Sequence, residues 1–176
     1  MATWKIIVIV LVVAVAAILL YAWTRPDTFR VQRSIAITAP PDRIVALIDD
    51  FRAFPQWSPW EKRDPNLKRS LSGAAKGKGA KYAWEGNSQV GSGSMEILEA
   101  TPTRVVTRLD FLKPFEAHNT AEWTLVPAGD TTTVTWAMYG PSPYISKLIG
   151  VFMSMDSMVG KDFEAGLAAM KAVAEK

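Results

Sequence analysis

An uncharged apolar stretch near the amino terminus constrains this chain more than any other feature. Residues 6–24 contain no charged side chain. As a helix they would span about 28 Å, close to the roughly 30 Å of a bilayer's hydrocarbon core. Trp4 lies at one end, and Tyr21 and Trp23 lie at the other, where aromatic rings suit the two membrane interfaces. We predict one transmembrane helix, with residues 1–24 as an N-terminal single-pass membrane anchor.

Two other interpretations of this stretch are weaker. Ala14 and Ala16 form the small-x-small pair of a signal-peptide cleavage site, but cleavage there would leave an exposed apolar stub. The other alternative is a buried core helix, but nearly every face of this stretch is apolar, and Pro26 stops the helix before the domain begins. An uncleaved anchor that contacts the lipid bilayer through residues 4–24 is therefore favoured. By charge count, Arg25, Arg30 and Arg33 against Lys5 and the amino terminus would hold the domain in the cytoplasm. Short N-terminal anchors often insert with the amino terminus inside, which would put the domain on the far side, so the side is left open.

Residues 25–176 are long enough for one well-buried core and too short for two, so they are predicted to form one domain. The chain has 20 Lys and Arg against 17 Asp and Glu. Their signs alternate rather than cluster, which argues against a nucleic-acid partner. The chain has no cysteine, which excludes thiolate nucleophiles, disulfides and thiolate zinc sites. No cofactor and no metal site are predicted, and the oligomeric state stays open.

Apolar residues at alternate positions predict seven strands. The first spans residues 29–37, and six more, separated by turn signals, occupy the middle of the chain. Residues 41–50 and 51–57 are predicted as two short helices. After Pro143, apolar residues recur every three or four positions, which predicts one long C-terminal helix with a weak point near Gly150. This order predicts an α+β fold in which the helix covers an antiparallel sheet.

The order of elements resembles the helix-grip fold of the START-like superfamily, also called SRPBCC or pollen-allergen-like. Four segments closely resemble its polyketide cyclase/dehydrase-like branch, many of whose members carry an N-terminal membrane anchor. They are FRVQRSIAITAPPDRIVALIDDFRAFPQWSPW, the dipeptide DP at residues 64–65, VTWAMYG and GKDFEAGLAAMK. The resemblance covers residues 28–174. It implies a curved seven-stranded antiparallel sheet wrapped around a long C-terminal helix, with two short helices after strand 1.

The resemblance also implies a cavity between the sheet and the long helix. Side chains that face inward would line this cavity with aromatic rings and adaptable methionines, although periodicity alone favours plain core. Two tryptophans of the WSPW segment would either form the entrance or fasten the short helices to the sheet. The predicted lining consists of Trp57, Trp60, Tyr82, Trp84, Met95, Ile97, Phe111, Asn119, Trp123, Trp136, Met138, Met155, Met158 and Phe163.

Groups suited to catalysis are few. His118, the one histidine, falls on the outward side of its strand beside Glu116, which predicts a surface residue. Asn119 could orient a ligand carbonyl, and Asp162 could act as a general acid or base if it were desolvated. The simpler interpretations are a core amide and a surface carboxylate beside Lys161. No catalytic residue is assigned, and Asp162 and Asn119 remain weak candidates.

Three hypotheses about function follow. The first is a membrane-anchored domain that binds or transfers a hydrophobic small molecule, such as a lipid, quinone or isoprenoid, which the bilayer concentrates near the anchor. The second is an enzyme of the polyketide cyclase or dehydratase type that orients a reactive chain in the same cavity. The third is a solid-cored domain that binds another protein. A buried Asp162 facing Asn119 would favour the second hypothesis, and the absence of a cavity would favour the third.

Overall fold

The structure is a computed structural model that describes residues 2–176. A curved antiparallel sheet of seven strands carries two short helices after its first strand and a long helix at the carboxyl end. The α+β helix-grip class predicted from the sequence is therefore confirmed. The elements are α1 (Ala2–Thr24), β1 (Thr28–Ile37), α2 (Pro41–Ile48), a 3-10 turn (Phe51–Ala53), α3 (Phe54–Trp57), β2 (Lys68–Gly73), β3 (Ala80–Glu85), β4 (Ser92–Thr101), β5 (Arg104–Lys113), β6 (Ala117–Ala128), β7 (Thr131–Pro141), α4 (Tyr144–Ile149) and α5 (Met155–Ala174).

The sheet joins the first and last strands of the domain. Its order is β1-β7-β6-β5-β4-β3-β2, and every neighbouring pair is antiparallel. Along β6, for example, buried Ala121 and Trp123 alternate with half-exposed Glu122 and Thr124, as expected for a sheet with one face on the core. β2 is exposed throughout, since it forms one edge.

The long C-terminal helix predicted after Pro143 is present as α5, and the chain breaks at the weak point predicted near Gly150, so that a short helix, α4, precedes it. α4 ends at Ile149, and the N–H of Gly150 donates to the Ser146 carbonyl at 2.8 Å. α5 begins after Ser154, whose hydroxyl oxygen accepts from the N–H of Ser157 at 3.1 Å; serine is a preferred residue at this capping position. The break separates a short helix that packs on α1 from a long helix that packs on β1.

α5 lies along β1 and runs in the same direction. Arg33 of β1 donates to Asp156 at 2.8 Å and to Glu164 at 2.7 Å. Further along both elements, the Lys171 ammonium donates to the carbonyl of Ala36 at 2.8 Å. The amino-terminal end of α5 therefore lies toward the start of β1.

α1 is long and apolar enough to cross a membrane, with a mean hydropathy of 3.1 over an 18-residue window within Thr3–Thr24. Signal sequences and core helices of soluble proteins share this length and composition. Its side chains are mostly exposed, for example Trp4 at 70% and Val13 at 62%, whereas Ala22, near the end that adjoins α4, is buried.

Candidate ligand-binding site

One face of the sheet, here called the inner face, packs against α3, the 3-10 turn and α5. The strand registers align its side chains in rows that cross the sheet. In one row, Met95 lies opposite Leu109, and Leu109 lies opposite Asn119. Two positions further along β6, Ala121 belongs to the next row, and Trp123 and Trp136 form the row after that. The row of Trp123 and Trp136 lies beneath α5, and the row of Met95, Leu109 and Asn119 lies toward the start of β1.

The part beneath α5 is filled by aromatic rings. Trp136 stacks on Phe163 of α5, with ring centroids 4.2 Å apart and planes 3° apart. It also stacks on Trp123 at 5.3 Å and meets the edge of Trp57 at 5.5 Å. Gly166 of α5 carries no side chain where the Trp136 ring approaches the helix. This half of the inner face is packed core.

Two donors within this cluster have no acceptor in the part of the chain that the structure describes. The indole Nε1 atoms of Trp123 and Trp136 are fully buried and form no hydrogen bond. Buried indole N–H groups usually find a partner, and leaving one unpaired costs about 1–3 kcal/mol. In contrast, the Trp57 indole donates to the Leu47 carbonyl at 2.7 Å. Two unpaired donors face the interior in which a ligand was predicted.

A loop crosses the inner face between α5 and β3, and we call residues 58–67 the strap. Near its middle, Arg63 pairs with Asp162 of α5. The adjacent Asp64 accepts from the backbone N–H of Asn87, in the β3–β4 turn, at 2.7 Å. The strap therefore bridges the long helix and the far strands and encloses the core behind it.

The two tryptophans of the WSPW segment differ in position. Trp57 is 1% exposed, and its hydrogen bond to Leu47 fastens α3 to α2. Trp60 is half-buried at the start of the strap, edge-on to Trp136 at 5.6 Å and to Phe163 at 6.2 Å. Of the pair, Trp60 is the one that borders the outside.

A buried carboxylate fixes the middle of the strap. Glu61 accepts from the Tyr82 hydroxyl and from the Arg69 guanidinium, each at 2.5 Å. Burial raises the pKa of Tyr82, and the hydrogen bond to Glu61 raises it further. Both donors are charge-assisted partners of one carboxylate, so this cluster holds the strap against β2 and β3.

The part of the inner face toward the start of β1 is apolar and half-exposed, and we call it the open end. Trp84 lies edge-on to Phe111 at 5.9 Å, over Gly93, where a side chain would collide with its indole. Asn119 is 8% exposed and packs against Gly140. Its amide forms no hydrogen bond with another described residue. The open end consists of Trp84, Met95, Leu109, Phe111 and Asn119.

Other residues predicted to be near the cavity have different surroundings. Asp162 is held in the ion pair with Arg63 rather than facing Asn119. Met155 is half-buried, but Met158 is 51% exposed. The buried stripe of α5 passes through Phe163, and Met158 is turned away from it, which corrects the inward placement of Met158. Ile97, Tyr82 and Met138 are buried in the core, as their strand alternation implies.

The single histidine lies on the outer face. His118 is exposed, and its Nδ1 lies 2.8 Å from a carboxylate oxygen of Asp110. The hydrogen bond with Asp110 raises the pKa of His118. Within residues 2–176, no three His, Asp or Glu side chains group as metal ligands.

The family is decided by residues 28–175, which match the model of a family described as polyketide cyclase / dehydrase and lipid transport. The chain belongs to this family. No curated protein matches the chain.

Several solved structures are similar in fold to the chain. A protein from Chromobacterium violaceum is 17% identical with a TM-score of 0.58, covering 86% of this chain and 99% of its own. The di-domain ARO/CYC StfQ from the steffimycin biosynthetic pathway is 11% identical with a TM-score of 0.63, over 84% of this chain and 51% of its own. A START superfamily protein from Mycobacterium smegmatis is 19% identical with a TM-score of 0.52, over 83% and 97%. At these identities the likeness shows the fold.

Two small concavities of this polyketide cyclase-like domain adjoin the sheet. One of about 230 Å³ lies between the 3-10 turn and the β2–β3 hairpin, beside Arg52 and Leu71 and away from the open end. Another of about 220 Å³ is lined by residues of β3, β4 and β5, including Glu96, Arg108 and Met95 of the open end. Both are smaller than the 300–1,000 Å³ typical of small-molecule sites, and neither includes a residue of the aromatic cluster beneath α5.

Sequence reasoning missed the strap and its Glu61–Tyr82–Arg69 cluster. Tyr82 was predicted to face inward, but nothing in a strand pattern identifies a carboxylate from a loop as its partner. Glu61 directly follows the WSPW segment. A charged residue at a place where the chain turns back toward the core was the one sequence feature that could have indicated a buried carboxylate.

Proposed function

We propose that this protein is a membrane-anchored domain that binds or transfers a hydrophobic small molecule, such as a lipid, a quinone or an isoprenoid. Residues 1–24 form the anchor and residues 25–176 form the binding domain. The ligand enters at the open end of the inner face. The observation that carries the proposal is that this apolar, half-exposed region lies at the end of the sheet from which α1 leaves.

The strand registers support that placement. β1 begins at Thr28, four residues after the last residue of α1, and Thr28 lies opposite Pro141 at the end of β7. Phe111, near the end of β5, lies opposite Ala117 at the start of β6. In an antiparallel sheet, the start of β1 and β6 and the end of β5 and β7 lie at the same end of the sheet. An apolar molecule that leaves the bilayer beside α1 would therefore reach the open end first.

The side chains at the open end favour a flat apolar ligand with a polar oxygen. Trp84 and Phe111 offer aromatic surface, which stacks on planar groups. The Asn119 amide, which lies between them and the core, offers a donor to a carbonyl. Deeper binding would move Trp60 at the edge of the strap and bring the ligand to the unpaired indole N–H groups of Trp123 and Trp136.

Cyclase or dehydratase chemistry receives less support from the same residues. A general acid or base needs a side chain free to exchange a proton with the substrate. Asp162 is paired with Arg63, and Glu61 accepts from two donors. The third alternative, a protein-interaction domain, is favoured by the packed aromatic core but leaves the open end without a role.

The test is ligand binding by the full chain in lipid nanodiscs, with native mass spectrometry and quenching of tryptophan fluorescence as readouts. The probes are a short-chain benzoquinone, farnesol and dioleoylphosphatidylcholine. Phe111→Ala removes an apolar contact of about 1–3 kcal/mol, so binding should weaken about fivefold or more. Leu98→Ala is the matched control, because Leu98 is exposed on β4 outside the open end. No binding of any probe, or equal affinity in Phe111→Ala and wild type, would refute the proposal.

A further inference from the structure

The geometry points to a second membrane contact, and we infer that residues 144–153 lie in the bilayer interface beside α1. These residues comprise α4 and the start of the loop that follows it, and we call them the interfacial segment. The inference rests on the proposed function in one respect, namely that α1 spans the bilayer. It adds a surface that fixes how the domain is oriented on the membrane.

α4 turns its charged residue toward the protein and its apolar residues outward, the reverse of a helix on a water-exposed surface. Lys147, its charged residue, is 9% exposed and binds Asp27 with its ammonium group at 2.5 Å. Ile145 is 62% exposed and Ile149 is 48% exposed. A helix on the surface of a soluble protein turns its apolar side inward and its charges outward, whereas an interfacial helix buries apolar side chains in the headgroup and acyl boundary. α4 has the second arrangement.

The loop after α4 extends the same apolar surface. Phe152 is 76% exposed and Met153 is 54% exposed. Only Gly150 and Val151 separate them from Ile149 in the chain. Single exposed apolar residues are ordinary, but a contiguous group marks a site of interaction. Here four large apolar side chains project from ten consecutive residues.

The position of α4 along α1 decides what covers this surface. The Tyr144 hydroxyl donates to the Leu19 carbonyl at 3.0 Å. Leu19 lies five residues before Thr24, the last residue of α1, which corresponds to about 7.5 Å of helix. If α1 spans the membrane, the start of α4 is therefore level with its last turns, at the depth of the headgroups and upper acyl chains. Lipid already surrounds the exposed side chains of α1 at that depth, so the occupant of the adjoining surface is the bilayer.

A turn of the sheet lies at the same end and has the same character. Leu112 and Phe115, on either side of Lys113 and Pro114, are 58% and 77% exposed. β5 is separated from β1 by two strands, β7 and β6, which places this turn about 14 Å from the start of β1. Contacts at both places would hold the open end against the membrane surface.

The test uses single-cysteine variants of the full chain in phosphatidylcholine nanodiscs, which is clean because the chain has no cysteine. Nitroxide labels replace Phe152, Val126 and Val12 in separate variants. Val126 is the matched control because it is 61% exposed on β6, near the end of the sheet away from α1. Oxygen, which partitions into lipid, and a water-soluble nickel chelate are the two relaxation agents.

We expect the Phe152 label to respond more to oxygen and the Val126 label to respond more to nickel. A Phe152 label as accessible to nickel as the Val126 label overturns the inference. The Val12 label separates the two proposals: if it reports the bilayer centre while the Phe152 label lies in water, the anchor stands and the interfacial segment does not. If the Val12 label also lies in water, the anchor itself is refuted. Dipolar broadening between Phe152 labels in nanodiscs with two copies would assign the surface to a second copy and overturn the bilayer as occupant.

A substitution provides the complementary test. Ile149→Asp in the full chain should shift the Phe152 label toward the nickel-accessible state, because a carboxylate is expensive at this depth. Val126→Asp should leave the Phe152 label unchanged. An unchanged Phe152 label in Ile149→Asp would also overturn the inference.

Discussion

Two glycines of α5 test whether the inner face is packed or hollow beneath the helix. Replacing Gly166 by alanine would place a Cβ atom 2.8 Å from Trp136 Cζ3 and 3.1 Å from Pro59 Cδ. Real carbon contacts are about 3.5–4.0 Å, so the indole or the strap must move. Trp136 has little room, since both Phe163 and Trp123 stack on it.

The expected magnitude follows from two opposing effects. Alanine in a helix interior is more stable than glycine by about 0.5–1 kcal/mol, whereas overpacking a core costs about 1–3 kcal/mol. Gly166→Ala should therefore lower the free energy of unfolding by about 1–2 kcal/mol. For a domain of this size, that loss corresponds to a fall in Tm of about 2–8 °C.

Gly160→Ala is the matched control on the same helix. Its Cβ atom would meet the guanidinium of Arg33, the far end of a flexible side chain that is 28% exposed. Because that group can withdraw, Gly160→Ala should retain the helix-propensity gain and melt above Gly166→Ala.

The assay is thermal unfolding of the full chain in detergent micelles, followed by near-ultraviolet circular dichroism of the tryptophans. If Gly166→Ala melted at or above the temperature of Gly160→Ala, space would have to exist beside Trp136. The description of this region as packed core would then be refuted, and the ligand would have access beneath α5.

Three further predictions concern the tryptophans, the strap and the histidine. Trp57→Phe should destabilise the protein by about 1 kcal/mol more than Trp123→Phe in the same melting assay, because it alone loses an indole hydrogen bond; equal losses would contradict the bonding. Tyr82→Phe should cost about 1.5–3 kcal/mol, since the Tyr82 hydroxyl donates to the buried Glu61 carboxylate, and a change below about 0.5 kcal/mol in urea unfolding would count against it. The hydrogen bond with Asp110 raises the pKa of His118 above the ordinary histidine value of about 6.5, so the stability it contributes is fully present below about pH 6.5 and is lost as pH rises through the raised pKa. NMR titration of the single imidazole should show a higher pKa in wild type than in Asp110→Asn, and equal values would refute that pairing.

The fold was predictable because most of its signals are local. Alternation in β6 fixed which of Glu122 and Trp123 faces inward, and the change to a helical period after Pro143 identified the terminal helix. Gly150 predicted a weak point in this helix, but the sequence did not predict the full division into α4 and α5. Apolar residues continue across the break, and only the capping by Ser154 and the contact of α4 with α1 separate the two helices. Periodicity identifies an apolar stripe, but it does not show that two parts of the stripe face different partners.

The candidate site was less predictable because it depends on contacts between distant residues. Whether an inward-facing tryptophan lines a cavity or fills it depends on which side chain packs against it. Trp136 of β7 stacks almost parallel on Phe163 of α5, a contact between residues distant in the sequence. Asp162 looked like a free carboxylate on a helix edge until the strap brought Arg63 to it. Met158 is one position from the apolar Val159, and a rotation of about 100° per residue separates a half-buried side chain from an exposed one.

The packed core and the proposed ligand are compatible if binding depends on the strap. The polar contacts of the strap follow Trp60 in the chain, Glu61 with Tyr82 and Arg69 and then Arg63 with Asp162, whereas Trp60 itself is held by edge-on ring contacts. A ligand with an aromatic surface could replace those ring contacts with its own and leave the ion pairs intact. The open end and Trp60 would then act in sequence, the first receiving a molecule from the membrane and the second admitting it toward the unpaired indole donors of Trp123 and Trp136. On this reasoning Trp60→Ala should increase the rate at which a benzoquinone quenches the buried tryptophans, whereas Trp4→Ala, at the far end of α1, should not change it.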